Sequence, residues 1–170
     1  MFVILLVVGL VWYIAPDEDL DLTYSEVPIQ QKIVNMAKNL KLETVITEQE
    51  INDLAKKQLA AHPRIGQDIE VTGARFELNG DTLTAHLNLI YRGLIRTQAT
   101  VYFQLEWRKP SIVATLLRTE VKGYELPPAW VSLKPIAIPI EDKLPDFVGI
   151  RSVDFGPNGI VFRFKLLNPF

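Results

Sequence analysis

Catalysis and metal binding need titratable or nucleophilic side chains at workable spacing, and this sequence supplies few. Its two histidines are His62 and His86. His62 stands before Pro63 at the end of a helical pattern, where a basic group complements the C-terminal dipole, and His86 falls on the polar parity of a strand pattern. Neither has a partner at H-x-x-x-H or similar spacing, so no metal site is expected. Ser25, Ser111, Ser132 and Ser152 lack the G-x-S-x-G setting of a nucleophile elbow. Glu48 and Glu50 are accounted for by the start of a helix, and Glu141-Asp142 by a polar turn. Gly73 and Gly80 do not form a phosphate cradle. The absence of cysteine removes a thiolate nucleophile, a disulfide framework and cysteine-ligated zinc, while leaving the redox compartment open. No catalytic residue, metal or cofactor is therefore expected, and the protein reads as a non-enzyme.

A binding surface is the better candidate, and its elements centre on residues 82–107. Leu83, Ala85, Leu87 and Leu89 alternate with Thr82, Thr84, His86 and Asn88, the period-2 signature of a half-buried strand. Ile95, Ala99, Val101, Phe103, Leu105 and Trp107 then share one parity, with Thr97 the polar intrusion, against Arg96, Gln98, Thr100, Gln104 and Glu106. One face of this sheet is greasy and must be covered by helix, by ligand, or by both. The residues that would line an apolar groove are Leu87, Leu89, Val101, Phe103, Leu105 and Trp107, with Trp130 at its lip or on a membrane surface.

At 170 residues, 48% hydrophobic and 22% charged, the chain suits one core, with an N-terminal appendage. The net charge of −2 hides an asymmetry. Asp17, Glu18, Asp19, Asp21 and Glu26 precede the first basic residue, Lys32. The remainder is mildly basic but unclustered, which does not suggest a nucleic-acid partner.

Phe2 to Ala15 carries no charge and ends in Trp12-Tyr13, as at a headgroup-level aromatic belt. We expect residues 1–15 to be a transmembrane signal anchor. Its fourteen apolar residues reach about 21 Å against a hydrocarbon core of roughly 30 Å, so the span is expected to be thin or truncated at its cytoplasmic end. A cleaved signal peptide fits less well, because Tyr13, Ala15 and Pro16 make a poor A-x-A site. A buried strand or helix of a soluble protein is the third alternative. The acidic run that follows suits the non-cytoplasmic side. Residues 16–24 are then an acidic tether, and residues 25–170 a single extracytoplasmic domain.

Within that domain, Ile29, Ile33, Met36, Ala37 and Leu40 recur at helical spacing, which predicts a helix over about 28–39. Thr47-Glu48-Gln49-Glu50 is a capping-box pattern opening a second helix, with Ile51, Leu54, Ala55 and Leu59 inward, Asp53, Lys56 and Lys57 in solvent, and an end before Pro63. Ile69 and Val71 share one parity and Ala74, Phe76 and Leu78 the other, so the phase changes near Gly73, where a bulge would be tolerated. Asn79-Gly80 is a strong hairpin signal. Further turns at Tyr91-Arg92-Gly93 and Arg108-Lys109-Pro110-Ser111 complete a four-strand meander that ends near Lys122. A stretch with Pro127, Pro128, Pro135, Pro139 and Pro145 is extended or turn-like, and a last hairpin forms around Gly156-Pro157-Asn158-Gly159.

This order of features, with the segments ITEQEINDLAKKQL, VKGYELPPAW and LPDFVGIRSVDF, resembles the YpmS-like group of Gram-positive membrane-anchored envelope proteins. More distantly it is similar to the TULIP-like lipid-binding proteins. The resemblance covers roughly residues 40 to 167 and implies a long sheet rolled around a helix, with a lipid or other apolar ligand; it carries over no catalytic residue. The expectation is an α+β fold: one curved antiparallel sheet, a meander plus a C-terminal hairpin, packed around two helices. Its expected place is the cell membrane, single-pass, with the body outside. Two functions are expected in competition, a binding module for a lipid or other apolar ligand and a non-enzymatic envelope scaffold that meets a protein partner with its core filled.

Overall fold

The computed structural model describes residues 2–39 and 41–167. The chain is α+β and its sheets are antiparallel. Helices α1 (Phe2–Tyr13) and α2 (Ile29–Lys38) precede strand β1 (Glu43–Thr47) and helix α3 (Glu48–Ala61). Eight of the nine later strands are β2 (Arg64–Ile65), β3 (Ile69–Asn79), β4 (Thr82–Tyr91), β5 (Ile95–Arg108), β6 (Ser111–Val121), β7 (Tyr124–Glu125), β8 (Ile136–Pro139) and β9 (Val148–Gly156). The last is β10 (Gly159–Leu166). The main sheet runs β2-β3-β4-β5-β6-β7, with β8 also paired to β6.

The alternation in the sequence becomes register directly. Leu83, Ala85, Leu87 and Leu89 pair with Phe103, Val101, Ala99 and Thr97 on one face, and His86 pairs with Thr100 on the other. The phase change near Gly73 is a bulge between Val71 and Gly73, which puts Val71 and Ala74 on the same face opposite Leu89 and Leu87. Asn79-Gly80 closes the β3–β4 hairpin with Gly80 at φ +61°, a left-handed conformation that glycine adopts without penalty.

The expected single sheet is corrected to two. The C-terminal hairpin β9–β10 pairs with β1 in a separate three-stranded sheet, Glu43 opposite Arg163 and Thr47 opposite Gly159. The reason is edge occupancy: β6, the strand that could have received the hairpin, already holds β7 and β8 along its outer side. Gly159 meets β1 so closely that a Cβ would lie 2.2 Å from the Ile46 carbonyl oxygen. The expected wrapping of one sheet around two helices is corrected with it. The small sheet, α2 and α3 cover one end of the large one. There Ile33, Met36, Ile46, Val148, Ile150, Ile160, Phe162 and Phe164 pack with Leu78, Leu105, Ile112 and Ala114. Of the apolar face expected for α2, Leu40 and the side chain of Ala37 lie outside the described residues. A second core, Val71, Ala74, Ala85, Leu87 and Val101, is covered by Leu22 and Leu59.

No described helix is long and apolar enough to cross a membrane. Helix α1, expected as a span, has 12 residues and rises about 18 Å. From Leu5 onward its side chains join neither core: Leu5, Leu6, Val7, Val8, Leu10 and Trp12 are all exposed.

Thr47 caps α3 as its sequence predicts. Its side chain accepts from the Glu50 amide, and its own amide donates to Glu50 Oε2 at 3.0 Å. Burial pushes the Glu50 carboxyl up, but hydrogen bonds from Lys32 and the Thr47 amide outweigh it and the net shift is downward. A carboxylate with a lowered folded pKa contributes stability above the ordinary carboxylate range and loses it as pH falls through that range. Thr47→Ala should therefore cost about 1 kcal/mol in denaturant unfolding at neutral pH. The penalty of Glu50→Gln should shrink between pH 7 and pH 3, whereas an unchanged penalty would mean that the carboxylate contributes nothing through its charge.

Candidate functional site

The apolar face expected to form a groove is largely occupied. Leu87, Val101 and Leu105 are buried, Leu89, Phe103 and Trp107 are half-buried, and Trp130 is 76% exposed on the segment between β7 and β8. Leu87 and Val101 belong to the second core and Leu105 to the first, with Phe103 touching both. Trp130 joins neither. None of the seven lines either of two clefts found among the described residues.

One of those clefts lies on the opposite, polar face of the large sheet. It holds about 280 Å³ between Asp17, Glu18, Arg75, His86, Gln98, Thr100, Lys122 and Gly123. The strands supply its floor because Arg75, His86 and Thr100 are register partners across β3, β4 and β5. Its roof is the acidic segment after α1, which is strapped across the sheet. The Asp17 amide donates to Gln98 Oε1 at 3.3 Å, and Asn88 Nδ2 donates to the Glu18 carbonyl at 2.7 Å. Lys122 pairs with Asp17, and Arg75 with Glu18 at 3.0 Å. The strap then turns over the sheet edge at Gly73, where a Cβ would lie 2.0 Å from the Leu20 carbonyl oxygen. Leu22 enters the second core beyond that point.

His86, on the polar parity as its sequence position indicated, has Nδ1 3.3 Å from the Thr100 hydroxyl and Nε2 3.7 Å from Glu77. Glu77 also pairs with Arg75. Each charged group of the cleft is thus answered by a neighbour, an arrangement suited to fixing the strap. Two buried polar atoms here lack a partner, Arg75 Nε and Asn88 Oδ1. Among the described residues no group of three or more His, Asp or Glu side chains could hold a metal ion.

A further polar stripe escaped the sequence reading. Glu48, Asn52 and Lys56, four apart on α3, run along the outer edge of β3. Asn52 Oδ1 accepts from the Phe76 amide at 2.9 Å and Glu48 Oε2 from the Leu78 amide at 3.0 Å, while Lys56 reaches Asp21 of the strap at 3.5 Å. The strap itself takes the Ala74 amide on the Asp21 carbonyl at 3.0 Å. The expectation that Asp53, Lys56 and Lys57 form a solvated face is corrected for two of them: Asp53 is 6% exposed under Gln49 and the Lys56 side chain is largely covered, whereas Lys57 is exposed as expected and pairs with the exposed Glu26. The spacing of Glu48, Asn52 and Lys56 beside the apolar stripe was the available signal.

Comparison of the chain with protein-family models, with curated proteins and with solved structures gave no match. The geometry generates its own test. Gly73→Ala should lift the strap, since the added Cβ would lie 2.0 Å from backbone that cannot swing aside as a side chain could, and the loss of partners for the Ala74 amide and Asn88 should cost about 1–3 kcal/mol. Limited proteolysis should then cut within residues 16–24 faster than in the parent, with the sheet retained by circular dichroism. An unchanged cutting rate would show that the strap does not depend on this contact.

Proposed function

We propose that the protein is a membrane-seated, non-enzymatic scaffold whose filled body is presented outside the cytoplasm to a protein partner. One observation carries the membrane part. A helix with apolar side chains exposed on every side, Trp12 at 84%, needs an apolar medium that the rest of the chain does not supply. Helix α1 seats in the hydrocarbon, of whose roughly 30 Å its described residues account for about 18 Å, and the acidic strap that follows suits the non-cytoplasmic side. The resemblance in layout to anchored envelope proteins points the same way.

The scaffold reading is supported over a lipid-shielding one by the fate of the expected groove. Leu87, Val101 and Leu105 already spend their surface inside the protein, and each methylene so used is worth roughly 0.8 kcal/mol that an acyl chain would have to displace. The cleft beneath the strap is polar-walled. Half-exposed Leu89 and Phe103 are the observation that favours a lipid ligand, and it is the weaker one.

Fractionation of wall-stripped cells should leave the full chain in membranes after an alkaline carbonate wash, open to added protease. Recovery in the soluble fraction would remove the membrane part. Native mass spectrometry of the full chain released from detergent should show the bare mass; a retained stoichiometric lipid would replace the scaffold reading with the lipid-shielding one.

A further inference from the structure

Hairpin topology gathers three turns at one end of the large sheet. They are the β2–β3 turn around Gly66, the β4–β5 turn at Arg92-Gly93-Leu94, and the β6–β7 turn at Lys122-Gly123. Helix α1 leaves the body at this same end. Tyr13 lies beside Tyr124, and Asp17 is held by Lys122 and by Gln98, which lies four residues from Leu94 along the chain, about 13 Å.

Beside the Arg92–Asp68 ion pair, this end exposes large apolar side chains where a soluble hairpin tip would be polar throughout. Leu94 is 85% exposed, the most exposed large hydrophobic side chain among the described residues, and Tyr124 is 68% exposed. Behind Leu94, the register row Ile65, Ile69, Tyr91 and Ile95 crosses four strands. The next row inward holds Arg64 and Arg96 at its two ends, and neither makes an ion pair with another described residue. Arg92 lies over the Tyr91 ring at 5.2 Å. An apolar tip, a flanking tyrosine and free guanidinium groups behind them match the layers of a bilayer surface from acyl chain to phosphate.

We propose that this end docks on the membrane that holds α1, with Leu94 below the headgroups, Tyr91 and Tyr124 among them, and Arg64 and Arg96 facing lipid phosphates. The proposal rests on the membrane seating of α1 given above and adds an orientation: the sheet stands on the β2–β3, β4–β5 and β6–β7 turns, with the β3–β4 and β5–β6 turns and the small sheet pointing away. A bilayer is favoured over a protein partner because the patch is continuous with the exit point of α1.

The chain has no cysteine, so single cysteines can carry an environment-sensitive NBD fluorophore. Leu94→Cys, Leu10→Cys and Trp130→Cys would be placed in the full chain, in nanodiscs of phosphatidylcholine with a minority of phosphatidylglycerol. All three sites are exposed, so the fold should tolerate them. The expected result is label at 94 shielded from aqueous iodide several-fold and quenched by shallow doxyl-lipid, as at 10, with label at 130 open to iodide. Label at 94 as open as at 130, with 10 still shielded, would overturn the docking and leave the membrane seating intact. Label at 10 open to iodide would overturn both.

Discussion

The structure depends on closing the outer edge of β3. Beyond Glu70 no strand of the described residues pairs with it on that side, so its outward amides would be left as an unpaired ladder beside a core. Four different partners take them: Pro63 O for Val71, Asp21 O for Ala74, Asn52 for Phe76 and Glu48 for Leu78. An unsatisfied buried amide costs about 1–3 kcal/mol, so the four together rival the whole stability of a small domain. That is why α3 lies along the edge, with Glu48, Asn52 and Lys56 facing the strand, and why the strap must pass at Gly73.

Fixing α3 there determines much else. Its cap residue Thr47 is also the last residue of β1, so placing the helix places the small sheet, and the small sheet with α2 fills one end of the large one. The strap joins the opposite end: it is pinned by Lys122, Gln98, Asn88 and Arg75 on the polar face and delivers Leu22 to the second core. An apolar face closed from both sides leaves little for a ligand, and the exposed greasy surface is displaced to α1 and to the tip at Leu94. The scaffold reading follows from that redistribution.

What the sequence shows is what short-range physics determines. Alternation from Leu83 to Trp107, the phase change at Gly73, the Asn79-Gly80 turn and the Thr47 cap are each decided within a few residues, and each stands in the structure. The pairing of Glu43 with Arg163 is a long-range choice with no local signal, and so is the descent of Leu20 onto Gly73. Polar residues misled for a related reason. Asn52 and Lys56 look like solvated helix positions until the β3 edge is beside them, and Glu48 serves a strand amide as well as a helix start. The groove residues were placed on the correct face, but whether a face is open depends on cover supplied from residues 20–60 and 148–164, which alternation does not reveal.

Amide hydrogen exchange in the full chain, resolved at Ala74, Phe76 and Leu78, tests the edge closure most directly. Protection of all three comparable to that of the central β4–β5 amides is the expected result. Exchange at the rate of a free strand edge, with β4 and β5 still protected, would contradict it and would remove the reason given for the positions of both α3 and the strap.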